Sequence, residues 1–289
     1  MLGLGLLALL PPAHAEDAED KAVILVQRYD GTVQRDYETP EWSVIHATLT
    51  SEKVTDADVK VLVGLKSLTH LSLRSTSITD AGVKTLAGIP TLTHLDLHDT
   101  GVTLAGVNEL ARLKNLTDLD LGGTKVADAG AKELAGLKKL TRLDLSHTEV
   151  TDAGAKELAG LTNLTTLDLY EARVTDAGLK ELAGMKKLTS LYLGGEKITD
   201  AGMKELAKLT SLTDVYLGTT RMTDAGLPDL VKLKNLTKLN LYNTGVTDEG
   251  VKELAKLKKL ASLRLDGTKV TDEGMKELRK AMPKCYILR

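Results

Sequence analysis

The chain has 289 residues, 42% of them hydrophobic and 27% charged, with 38 Lys and Arg against 40 Asp and Glu. A net charge of -2 leaves no basic footprint for nucleic acid or an anionic membrane, so neither is expected as a partner. The one cysteine, Cys285, excludes an internal disulfide and with it a stapled secreted fold.

Residues 1–15 hold an apolar run from Leu2 to Leu10, a double Pro and then Ala13-His14-Ala15. This is the hydrophobic core and A-x-A ending of a secretory signal peptide, and it is too short to span a bilayer. The expectation is export to a periplasmic or extracellular space, with cleavage after Ala15, although the segment carries no Lys or Arg ahead of its apolar run. Residues 16–43 read as an N-terminal cap of a helix plus a β-hairpin. Glu16 to Arg28 suits a short helix, and Asp30-Gly31 precedes an alternating run that leads to Trp42. The end of a stacked array would expose a row of Leu, so the single Trp is expected to act as its lid.

From Leu68 a 24-residue unit, L-x-x-L-x-L-x-x-T-x-V-T-D-A-G-x-K-E-L-A-x-L-x-x, recurs nine times without insertion to about residue 283. A degenerate copy occupies 44–67, with Val54-Thr55-Asp56 in register but Ala47 and Glu52 where Leu and Thr recur. A fixed period of this size means units that bury their apolar faces only against their neighbours. In each unit the L-x-L pair alternates as a short strand, with Leu71 and Leu73 inward and Ser72 outward. The T-D-A-G-x-K-E-L-A stretch opens with capping residues and spaces apolar side chains as a helix of two to three turns. Helices are about 10 Å wide and strands sit about 4.8 Å apart, so the helical side must splay. The expected architecture is an α/β solenoid, a horseshoe with a concave parallel sheet and convex short helices. Residues 284–289 are expected to close it with an edge strand.

Three positions of the unit call for structural explanations. The Gly at the fifteenth position, Gly82 through Gly274, costs roughly 1 kcal/mol against Ala in a helix, which implies a contact that a Cβ would spoil. The Thr at the ninth, for example Thr76, Thr100 and Thr124, is expected to bridge backbone groups of adjacent coils. The Thr at the second, for example Thr69 and Thr93, shares the inward parity of the Leu residues.

These residues carry a resemblance. The array is similar to leucine-rich repeats, and its T-D-A-G-x-K-E-L-A form resembles the exported multi-copy repeat proteins of planctomycete-type bacteria. The resemblance implies a protein-interaction function.

No G-x-S-x-G, H-E-x-x-H, Walker loop or C-x-x-C is present, so neither an enzyme nor a cofactor is expected. Asp118-x-Asp120-x-Gly122 imitates part of a calcium loop, but Leu119 and Leu121 between them belong to the core of a strand. The positions free to vary on the concave face are the third, fifth, seventh and eighth. His46, His70 and His94 occupy the third, followed there by Asp118 and Arg142, while His98 holds the seventh and His147 the eighth. Asp96, Asp120, Asp144 and Asp168 run along the fifth on four successive strands, and Tyr192 and Tyr216 continue that row with Tyr170 and Tyr242 at the seventh. Gly194, Gly195 and Gly218 are expected to open the surface between the rings.

Exposed aromatics make interface centres because they add contact area at low entropic cost. The expected function is therefore capture of a protein or peptide by a monomer. Tyr170, Tyr192, Tyr216 and Tyr242 would anchor it, beside a patch of Asp96, Asp118, Asp120, Asp144, Asp168, Arg142, His70, His94, His98 and His147 that favours a partner with a basic segment. Two other readings are a metal or small-ligand site built from His70, His94, His98, Asp96 and Asp120, and a glycan site on the Tyr platform. Imidazoles beside carboxylates are expected to have raised pKa values.

Overall fold

The computed structural model describes residues 18–38 and 42–289, so the signal-peptide reading of residues 1–15 lies outside the described residues. Among the described residues, twelve strands form one sheet in sequence order. They are β1 (Thr32–Arg35), β2 (Val44–Thr48), β3 (His70–Ser72), β4 (His94–Asp96), β5 (Asp118–Asp120), β6 (Arg142–Asp144), β7 (Thr166–Leu169), β8 (Ser190–Leu193), β9 (Asp214–Tyr216), β10 (Lys238–Asn240), β11 (Ser262–Arg264) and β12 (Tyr286–Leu288). β1 runs antiparallel to β2, and every later pairing is parallel. The N-terminal hairpin thus borrows its second strand from the 44–67 unit. Short helices such as Asp80–Leu86 and Asp152–Leu158 stack on the opposite side, which gives the open horseshoe.

The core is a column of stacked Leu and Val. Leu95, Leu119, Leu143 and Leu167 lie directly beside one another across four strands and are at most 2% exposed. Pairing shifts by one full unit per strand, so a side chain keeps its face throughout the array. At the N-terminal end the cover is not the indole of Trp42. Helix Ala18–Arg28 buries Ala22, Leu25 and Val26 against the first coils, whereas Trp42 packs edge-on against Tyr37 with 5.5 Å between ring centroids. An amphipathic helix can lay a whole stripe over the exposed Leu row, which one ring cannot.

The two Thr positions divide the work differently from the sequence expectation. The ninth-position hydroxyl donates within its own coil, as Thr76 does to the Leu73 carbonyl at 2.6 Å and Thr148 to Leu145 at 2.6 Å. Bridging between coils belongs to the second position, where Thr93 donates to the Thr69 carbonyl and Thr117 to Thr93, both at 3.1 Å. The strand ends at the sixth residue, so the carbonyl in need of a donor is local, while the second residue still lies beside its counterpart in the next coil.

The T-D pair forms a second ladder on the convex side. The carboxylate of each Asp accepts from the next unit's N-cap Thr twice, as Asp80 does from Thr103 N (2.8 Å) and Thr103 Oγ1 (2.7 Å). Asp80 Oδ1 also accepts from Gly106 N at 2.9 Å. This is the contact that the fifteenth-position Gly protects: a Cβ on Gly106 would sit 2.5 Å from that oxygen. One rung lacks both partners at once, for Leu104 stands where Asp recurs and Ala127 is an N-cap without a side-chain bond. Leu104 is left 42% exposed. The double substitution Leu104→Asp, Ala127→Thr is expected to raise the unfolding free energy by about 1–2 kcal/mol, and each single substitution by less, since a lost N-cap costs about 1 kcal/mol. Urea unfolding of the four proteins of the cycle measures it; strictly additive effects would mean that the rung is not a coupled unit.

Candidate functional site

The concave face carries two continuous rows. The third-position row reads His46, His70, His94, Asp118, Arg142, Thr166, each paired with the next across the sheet. The fifth-position row reads Asp96, Asp120, Asp144, Asp168, Tyr192, Tyr216. The seventh position adds His98 and Tyr170, and the eighth adds His147. In all nine units the eighth residue has a positive φ, from 52° at Asn243 to 94° at Gly195. A left-handed residue ends each strand turn and aims its side chain, His147 among them, away from the row below it.

At the N-terminal half, three imidazoles stack. His46 and His70 have ring centroids 3.8 Å apart at 35°, and His70 and His94 are 3.8 Å apart at 17°. Thr69 Oγ1 donates to the Ile45 carbonyl at 3.0 Å, so its 2.8 Å contact with His70 Nδ1 is one in which the ring nitrogen donates. The tautomer is fixed with the proton on Nδ1. Burial, followed by the flanking His94 and His46, pushes the His70 pKa down to about 4 against the opposing pull of Asp118. The expected rise therefore fails at His70, first because the ring is partly buried and second because its nearest neighbours are other imidazoles, with the carboxylate one strand further away. His94 meets that carboxylate directly, with Nε2 3.4 Å from Asp118 Oδ2. These groups line a recess of about 320 Å³ that also takes in Asp96, Asp120 and Arg142.

The carboxylate row has a local task. Asp96 accepts from His98 N, Asp120 from Gly122 N, Asp144 from Ser146 N and Asp168 from Tyr170 N, at 2.8–3.0 Å. Each closes the turn two residues on, as Asn240 does for Tyr242 N at 2.8 Å. Yet in-register stacking crowds like charges. Burial first, and Asp144 second, raise the Asp168 pKa to about 7, and the same causes raise Asp120.

At the C-terminal half, Tyr192 and Tyr216 stack at 4.2 Å and 13°. Gly195 is open, with no atom nearer than 4.0 Å to a Cβ built on it, but Gly194 and Gly218 do not open this surface as expected. Tyr170 lies over Gly194, where a Cβ would come within 2.5 Å of its ring, and Gly218 is covered by Tyr242. His147 meets Tyr170 edge-on at 5.5 Å. The fifth-position register continues to Arg264, whose guanidinium sits 4.8 Å above the Tyr242 ring. Arg264, Asn240 and Ser146 were not singled out from the sequence, although the register that finds Tyr216 also reaches the first two. Together with Asp168 and the four Tyr they line a recess of about 460 Å³.

Of the sequence-derived metal set, only His98 and Asp120 come together, with Nδ1 3.1 Å from Oδ1. His70 and His94 have each committed Nδ1 to a Thr hydroxyl and lie in the stack. A carboxylate of Asp144, absent from that set, joins His98 and Asp120 instead.

Comparison with known proteins agrees with the architecture. Two family models, both described as leucine rich repeat, match, one over residues 114–171 and the other over 64–87, 160–183, 184–207 and 232–255. None of the curated proteins matches the chain. Among solved structures, the chain is similar to an internalin C2 from Listeria monocytogenes, at 29% identity over 75% of this chain and 84% of that one, with a TM-score of 0.55. It also shares the fold of a leucine-rich repeat protein from Leptospira interrogans, at 21% identity, 79% and 74% coverage and a TM-score of 0.53. With the 24-residue period, the sheet in sequence order and these matches in hand, the chain is a leucine-rich repeat protein.

Proposed function

We propose that the chain is an exported, non-catalytic module that holds a protein or peptide on its concave face as a monomer. Tyr170, Tyr192, Tyr216 and Tyr242 anchor the partner, and the acidic rows from Asp96 to Asp168 with Asp118 favour a basic segment. Leucine-rich repeat folds are in general protein-interaction scaffolds, and this one presents about ten parallel strands, an arc of roughly 45 Å. A standard interface of about 800 Å² per partner fits on it. Among the described residues, no helix is long and apolar enough to cross a membrane.

The observation that carries the proposal is the Tyr192–Tyr216 pair. At the fifth position Asp and Asn close the following turn, but among the described residues no side chain takes up the N–H of Gly194 or Gly218. The two Tyr thus forgo a local hydrogen bond worth about 1 kcal/mol, and put aromatic surface on the concave face. Each ring spends one face on the other, and the pair presents a ridge of edges and hydroxyls to the partner. That geometry suits side-chain and backbone groups of a polypeptide better than the flat face of a sugar.

The Tyr192→Ala, Tyr216→Ala protein is expected to bind the native partner at least about tenfold more weakly, as loss of an interface centre requires. Surface plasmon resonance with the purified partner reads this; equal affinity for both proteins would remove the aromatic anchor from the proposal.

A further inference from the structure

We propose that His98, Asp120 and Asp144 form a binding site for one divalent first-row transition-metal ion, for which zinc is the natural probe. The site stands on its own geometry and holds whether or not the concave face captures a partner.

One ligand atom from each of the three side chains lies within 4.8 Å of the other two. Zinc–nitrogen and zinc–oxygen bonds near 2.0–2.1 Å in a tetrahedral shell put ligand atoms roughly 3.3 Å apart. His98 Nδ1 and Asp120 Oδ1 already stand 3.1 Å apart. A plain imidazole–carboxylate hydrogen bond would account for that pair alone. It leaves out Asp144, which closes its own turn through Oδ1 and lies only 8% exposed between Asp120 and Asp168 across the sheet. Its Oδ1 accepts from both N and Oγ of Ser146, at 2.9 and 2.7 Å, while its Oδ2 takes no hydrogen bond among the described residues and is reached by solvent. An oxygen so placed is the third donor that a cation would draw in.

Two features around the triad fit the same reading. Asp99 Oδ2 lies 3.5 Å from His98 Nε2, where it can hold the proton on Nε2 and leave Nδ1 as the ligand. That carboxylate–histidine–metal arrangement is the usual outer support of an imidazole ligand. The floor of the site is Gly122, at the seventh position, which is also Gly at Gly194 and Gly218 and carries larger side chains in the other units. A Cβ there would come within 2.4 Å of His98 Nδ1 and 2.7 Å of Ser146 Oγ, filling the space beside the ligand atoms. One nitrogen and two carboxylate oxygens match the borderline preference of zinc and its neighbours, while calcium needs six or more oxygens. Two carboxylates neutralise the ion. His98 would bind as the neutral imidazole, through Nδ1 with its one proton on Nε2, and a fourth coordination position faces the concave surface.

Isothermal titration of zinc into the full chain, freed of metal by chelator and carrying no His tag, tests the site. The expected result is saturation at one equivalent. His98→Ala and Asp144→Asn should each weaken binding by at least about tenfold, while His70→Ala, in the separate imidazole stack, should leave it unchanged. Calcium should give no saturable heat. Circular dichroism confirms that each variant is folded. The half-buried His98 makes its Ala variant the decisive one should Asp144→Asn unfold. Absence of saturable zinc binding, full affinity in His98→Ala, or equal binding of calcium would each overturn the proposal.

Discussion

Replacing Asp168 by Asn is expected to raise the unfolding free energy by about 4 kcal/mol near pH 8 and to leave it almost unchanged near pH 4. The carboxyl is held at a pKa of about 7 against 3.8 in an unfolded chain, first by burial and second by Asp144 on the neighbouring strand. The bond from Tyr170 N and the nearby Arg142 oppose this without overcoming it. Because the folded value is the higher one, the unfolded state releases its proton first and gains stability as pH rises from about 4 to 7. The penalty on folding is therefore fully present above pH 7, where the ionised Asp168 is buried beside Asp144. It fades as pH falls toward 3.8, because the folded carboxyl is then protonated and the unfolded one follows. Asn removes the charge but keeps the Oδ1 that accepts from Tyr170 N at 2.8 Å, so the turn survives. Urea unfolding of both proteins at pH 4, 6 and 8 gives the difference directly. A gain that does not grow with pH, or a loss at pH 8, would show that the carboxylate row is not under electrostatic strain.

This row illustrates what a sequence of this kind discloses. A strict period and strand alternation place every third- and fifth-position side chain on one face, so the rows from His46 to Arg142 and from Asp96 to Tyr216 could be read before any coordinates. Register alone decides them. The interactions that run across one unit boundary were harder to read. Asp80 and Thr103 are 23 residues apart, and their joint role as rung partners shows only when helix N-termini stack. The two Thr positions look alike in sequence, yet only the second lies level with its counterpart's carbonyl. Side-chain rotation decides the rest. His98 and Asp144 sit on different strand turns and meet only because His98 folds over Gly122, and His70 is pushed down rather than up in pKa first by burial and then by the rings stacked on it. At the N-terminal end, a generic amphipathic helix, not the conspicuous Trp42, covers the core.

Gly250→Ala is expected to lower the unfolding free energy by about 3 kcal/mol, whereas Gly130→Ala, at the same position of the repeat, should cost less than about 1 kcal/mol. In a helix free of neighbours both changes would be favourable by roughly 1 kcal/mol, so the difference isolates what the stacked unit imposes. A Cβ at Gly250 would lie 2.0 Å from Asp224 Oδ1 and 2.7 Å from Leu227 Cδ1. The carboxylate cannot retreat, because it accepts from Thr247 N at 2.8 Å and Thr247 Oγ1 at 2.6 Å. Relieving the overlap means breaking two bonds to a charged acceptor or displacing a backbone segment. At Gly130 the preceding unit supplies Leu104 instead of Asp, and the nearest atom to a Cβ is the Val126 Cγ1 methyl at 2.8 Å. Urea unfolding monitored by circular dichroism compares the two, and equal losses would show that the carboxylate is not the constraint. The same logic reaches into the repaired array: once Leu104→Asp and Ala127→Thr rebuild the missing rung, Gly130→Ala should acquire the cost seen at Gly250, because the oxygen that forbids a Cβ will then be in place.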